Sequence, residues 1–128
     1  MQNLVLLLGR ILMAAIFVWS GYNKVVHYDY VQGLMVSMGL PAWSMPFIIL
    51  WELGGGLALL LGLFTRPVAL ALAAFCVISA FIAHLHPEDQ IQMINFMKNV
   101  AMSGGFLYVW VVGGGDLSLG KKLGLKWS

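Results

Sequence analysis

At 128 residues, with 61% hydrophobic and only 9% charged side chains, the chain carries more apolar surface than a soluble domain of its size can bury. A formal net charge of +2, spread along the chain apart from Lys121, Lys122 and Lys126, excludes a nucleic-acid binder that works by charge. Together with a mean hydropathy of +0.90, this describes one domain whose solvent is a lipid bilayer.

The first apolar run, residues 4–22, has no basic stretch ahead of it, carries Arg10 inside it and shows no small-residue cleavage site. It therefore reads as a retained membrane span and not as a secretory leader. Within residues 29–39, Val31, Leu34, Met35 and Met38 fall at helical spacing behind Asp29 as a cap, which predicts a short amphipathic helix at the interface. Gly39, Leu40 and Pro41 break the chain before a second run, 44–64; Thr65, Arg66 and Pro67 make a tight turn into a third, 67–84. His86, Pro87, Glu88 and Asp89 then lead to a fourth, 94–112. Each run is long enough to cross a bilayer as a helix, and none alternates in polarity as a barrel strand does. The predicted fold is all-α, a single domain over 1–128 built as a four-helix membrane bundle, with Gly113, Gly114 and Gly115 opening a tail over 113–128.

Orientation follows from the short loops. Arg66, Lys121, Lys122 and Lys126 fall on one side and Lys24 and Lys98 on the other, so both termini are expected in the cytoplasm. Trp43, Trp110 and Trp127 suit an aromatic belt, whereas Trp19 and Trp51 sit at depths that suit belt or packing.

Charged and polar residues inside the runs are the informative exceptions. Glu52 lies about 12 Å below the outer end of the second run by helical rise, and Lys98 about 6 Å below the same side. Ser20, Asn23, Lys24, His84, Asn95 and Asn99 belong to the same half. A carboxylate facing lipid costs about 2.5–3.5 kcal/mol, so Glu52 must face protein, water or a cation. Gly55 and Gly56 lie one turn on, beside a ridge of Gly54, Ala58 and Gly62, so neighbouring helices can approach closely. By depth, Lys98 is the expected partner of Glu52, with Arg10 as competitor; the Arg10 guanidinium can instead satisfy freed carbonyls. The bland reading is that such charges pin helix register; the functional one is a ligand, proton or substrate path. His84 and His86, two residues apart, do not share a helical face, no cysteine and no ordered carboxylate spacing accompanies them, and the methionines are dispersed, so no metal site is expected. The single cysteine, Cys76, excludes an internal disulfide and reads as a small core residue.

Several stretches in order are similar to one family. GRILMAAIFVWSGYNK (9–24), GLP (39–41), WELGGGLALLLGLFTRP (51–67), NFMKN (95–99), GGFL from Gly104 and the ending GGGDLSLGKKLG resemble the DoxX family of small four-span proteins across essentially the whole chain. The resemblance implies a bacterial inner-membrane protein with four helices and both termini inside. It also implies that Arg10, Lys24, Glu52, Arg66, Lys98 and Asn99 hold the family's recurrent polar positions. The family takes its name from a small subunit associated with archaeal thiosulfate and quinol oxidation, and some bacterial relatives are linked to thiol redox and oxidative-stress assemblies.

The leading expectation is an accessory redox membrane protein and not a stand-alone enzyme, because no haem, flavin or iron–sulfur ligation pattern is visible. Its ligand site would comprise Glu52 as acceptor of a proton or hydrogen bond, Lys98 and Asn99 orienting a bound oxygen, His84 at the mouth, and Arg10 and Lys24 nearby. Quinone is the expected ligand, with no covalently bound cofactor and no metal. The expected partners are the lipid bilayer and a redox protein or a second copy of the chain. The alternative is a small-solute permease or membrane-protein assembly factor in which the buried charges are purely structural.

Overall fold

The computed structural model describes residues 1–83 and 87–124. Helix α1, Gln2–Val26, is followed at once by α2, Tyr28–Ser37. The second span, Ala42–Leu61, is composite: a 3-10 turn Ala42–Ser44, α3 Met45–Ile49, a wider π turn Leu50–Gly54 and α4 Gly55–Leu61. Then come α5, Thr65–Ala83, α6, Gln90–Val112, and a short α7, Leu119–Lys122. Among the described residues there is no strand. Among the described residues three helical segments are long and apolar enough to cross a membrane: Gln2–Val26, Ala42–Leu61 and Thr65–Ile82. The 23-residue α6 is long enough as well, but Gln90, Gln92, Asn95, Lys98 and Asn99 make its first half more polar.

Local chemistry explains where the helices stop. Gly39 and Gly62 adopt φ of +91° and +76°, a left-handed conformation that costs an L side chain but not glycine. At each, the next two amide groups close back on the helix. Gly39 and Leu40 N–H donate to Val36 and Met35 O, and Gly62 and Leu63 N–H donate to Leu59 and Ala58 O, the Schellman arrangement. Asp89 caps α6, its carboxylate accepting from Ile91 and Gln92 N–H at 3.0 and 3.4 Å. Asp29 does not cap α2. His27 holds that position without a side-chain bond, and Asp29 sits in the first turn, where its charge complements the helix dipole.

Contacts between consecutive spans have a near-constant sum of residue numbers, the mark of antiparallel neighbours. Gly21 faces Leu53, and Gly56 faces Phe17 and Val18; Gly55 faces Leu72, and Trp51 packs on Phe75. Asn99 reaches Ser79, and Phe81 packs on Phe96. The close approach between spans uses Gly55 and Gly56; of the ridge beside them, Gly54 meets Leu50 of its own helix, and Gly62 ends the helix in close contact with Arg10 and Ser118. The core is small, with Phe17 set edge-on to Phe75 and Phe106 at centroid distances of 6.0 and 5.4 Å, among Ala14, Leu59, Leu72 and Cys76. Most large apolar side chains point outward, as expected where the surroundings are acyl chains. Trp19, 70% exposed, is on that outer surface, while Trp51 packs inside against Phe75.

The segment after α6 is a folded clasp. Asn3 and Asp116 exchange two hydrogen bonds of 3.1 Å, Gly120 N–H donates to Gly62 O, and Ser118 caps α7 through Lys121 N–H. The start of α1 and residues 113–124 therefore meet at one end of the bundle.

Candidate functional site

At the opposite end, α1, the second span, α5 and α6 diverge around a chamber of about 520 Å³. Helix α2 lies over it, turning Val31, Leu34, Met35 and Met38 toward the space. Gln32 anchors this lid to the second span by donating to Ala42 O at 3.0 Å. The four apolar positions with helical spacing thus line the chamber roof.

One wall is polar. Lys24 Nζ lies 2.8 and 2.9 Å from the two carboxylate oxygens of Glu52 and 2.9 Å from Ser20 Oγ. Their side chains are 13% and 5% exposed, yet both line the chamber. Two features set this geometry. Gly21 lets α1 approach Leu53 so closely that a Cβ there would fall 2.8 Å from Leu53 Cβ, and Lys24 lies one turn beyond. The second span carries Glu52 in the middle of its π turn, where the wider i→i+5 coil interrupts the regular helix. Nearby, Asn99 Nδ2 donates to Ser79 Oγ at 3.1 Å, and that hydroxyl donates to Cys76 O. Trp51, Phe75 and Phe17 supply flat aromatic surface.

The structure brings Glu52, Lys24 and Asn99 together and leaves Lys98 and Arg10 apart from them. The expected pairing of Glu52 with Lys98 or Arg10 is wrong. Lys98 is exposed on α6 and takes no part in the lining. Arg10, only 2% exposed, lies toward the other end and donates to the carbonyls of Leu59, at 3.3 Å, and Leu117. This is the freed-carbonyl role, since those groups lie at the C-terminal turn of α4 and in the clasp. His84 lies outside the described residues. Lys24 was missed as partner because a first span ending near residue 22 leaves it in a loop. In fact α1 runs to Val26, and Ser20 and Lys24, at i and i+4, share a face. That spacing, in SGYNK, was the available signal. Among the described residues no group of three potential metal ligands occurs.

A bundle of apolar helices around a lidded chamber, with a buried ion pair on the chamber wall, defines an all-α membrane protein. Comparison with known proteins then gives the family. The chain belongs to the DoxX family, whose model matches residues 5–85, a stretch that contains both halves of the ion pair. It is 39% identical over 127 residues to the inner membrane protein YqjF of Escherichia coli strain K12, covering 99% of this chain and 98% of that one. It is also 32% identical over 128 residues to the inner membrane protein YphA of the same strain, covering 94% and 91%. No solved structure matches it at a significant level. The chain is thus an integral protein of the bacterial inner membrane.

Proposed function

We propose that the chamber holds the head group of a quinone-type amphiphile and that the protein is an accessory subunit to a redox partner that brings its own electron-transfer centre. The observation that carries this reading is that the Lys24–Glu52 pair borders open volume instead of being packed dry between helices. A volume of about 520 Å³ falls within the roughly 300–1,000 Å³ usual for small-molecule sites, which combine apolar walls with a few convergent polar groups. Trp51, Phe75 and Phe17 can stack on a ring, Asn99 can donate to a ring oxygen, Glu52 can accept from a ring hydroxyl, and the α2 roof can cover an apolar substituent. A bound quinone would supply two-electron, two-proton chemistry. The chain's own residues hold and orient it and exclude water. In this proposal α6 completes a four-span bundle, the clasp end lies in the cytoplasm, and the chamber occupies the outer half.

The test is anaerobic titration of a short-chain benzoquinone and, separately, of its hydroquinone into the purified protein in nanodiscs, read for either form as quenching of the Trp51 component, the difference between wild type and Trp51→Phe. Saturable quenching together with thermal stabilisation supports the proposal. Neither effect, with a Glu52→Gln/Lys24→Met double variant indistinguishable from wild type, removes it.

A further inference from the structure

The hydrogen-bond inventory of the chamber is unbalanced, and the imbalance says what kind of head group it takes. An ammonium group has three N–H donors. Lys24 directs them at three protein acceptors, Glu52 Oε1, Glu52 Oε2 and Ser20 Oγ. This cation on the wall is therefore engaged by the protein's own oxygens, with which a ligand carbonyl has to compete. Trp51 N–H is spent on Ala71 O, the Ser44 hydroxyl on Pro41 O and the Ser79 hydroxyl on Cys76 O. Among the described residues each carboxylate oxygen of Glu52, by contrast, accepts from Lys24 alone and keeps a lone-pair direction free. The remaining side-chain donors of the described lining, the Ser20 O–H, the second Asn99 N–H and the weak Cys76 S–H, are neutral, whereas a hydrogen bond to an ionised acceptor is roughly twice as strong.

From this we infer that the chamber selects amphiphiles whose head group donates a hydrogen bond, a phenol or the reduced, dihydroxy form of a quinone, over those that offer only carbonyl or ether oxygens. The ligand hydroxyl donates to Glu52, and Lys24 holds the carboxylate in place without competing for the ligand. This inference rests on the proposed occupancy of the chamber and adds the polarity of recognition. Bonds to a charged acceptor set the scale: the donor form should bind roughly tenfold or more tightly than an isostere lacking the proton.

A matched pair makes the test: 4-hexylphenol and its methyl ether, 4-hexylanisole, with apparent affinities for the full-length protein in nanodiscs measured by equilibrium dialysis and corrected for lipid partition. The expected result is at least tenfold preference for the phenol in wild type. That preference should fall to within about twofold in Glu52→Gln/Lys24→Met, which removes both charges together and so keeps the wall neutral. Equal binding of phenol and ether to wild type overturns the donor rule while leaving the chamber as a binding site. Saturable binding of neither overturns both. A preference that survives intact in the double variant overturns Glu52 as the acceptor.

Discussion

Removing Lys24 alone is the most revealing perturbation, because it leaves Glu52 charged or forces it to take a proton within the bundle. At 2.8 Å, and with an effective dielectric of about 20, the pair interacts by 332/(20 × 2.8), about 6 kcal/mol before desolvation is counted. Desolvation of two groups this buried offsets much of that. The loss on deleting one partner is therefore expected near 3–5 kcal/mol, whereas removing both costs little. Lys24→Met should accordingly destabilise the purified protein by about 3–5 kcal/mol, and Lys24→Met/Glu52→Gln should recover to within about 1–2 kcal/mol of wild type. The assay is denaturant unfolding in mixed micelles followed by tryptophan fluorescence, with the two single variants and the double closing a thermodynamic cycle. Lys98→Met, which touches an exposed group, is the control and should change stability by less than about 0.5 kcal/mol. A Lys24→Met protein as stable as wild type, or a Lys98→Met protein equally damaged, would refute the pairing argument.

Three further outcomes are expected. Gly21→Ala places a methyl group 2.8 Å from Leu53 Cβ and should cost about 1–3 kcal/mol, while Gly104→Ala, where nothing lies within 4 Å, should be neutral or stabilise by about 0.4–1 kcal/mol; equal effects in the same unfolding assay would contradict the crossing geometry. Arg10→Lys keeps the charge but loses the fork that bonds Leu59 and Leu117, so the clasp should open and trypsin should cut at Lys121 and Lys122 roughly tenfold faster; an unchanged cleavage rate would show that the clasp is held by something else. A green fluorescent protein fused after Ser128 should fluoresce in cells and a periplasmic phosphatase fused there should be inactive; the reverse pattern would invert the proposed orientation.

Continuous apolar runs made the membrane class and the helices legible in the sequence, and the α2 face was readable because Val31, Leu34, Met35 and Met38 share one side of a helix. The pairing was not. Depth counted from the ends of apolar runs treats Lys24 as a loop residue, whereas a long aliphatic side chain can stay helical past the end of the run and point its charge inward. The fold of 113–124 was illegible for a different reason. Arg10 bonds two backbone carbonyls, and carbonyls carry no residue-type signature. The role of Glu52 as a sheltered group was readable from cost alone, because lipid leaves a carboxylate no cheaper choice.

The widened coil at Leu50–Gly54 has a consequence for how this protein tolerates length change. Such a coil holds one residue more than an ordinary turn would, and its five residues turn the chain through nearly the same angle as four residues of regular helix, so removing one restores straight winding with α3 and α4 in almost the same rotational phase. The glycine seam at Gly55 and Gly56 would stay seated against its neighbours, and the upstream wall that includes Ile48 and Ser44 would keep its face to the cavity. The surplus residue is a bulge that the rod can lose without re-aiming either half, which makes this turn the place in the second span where a one-residue deletion that spares Glu52 does least damage.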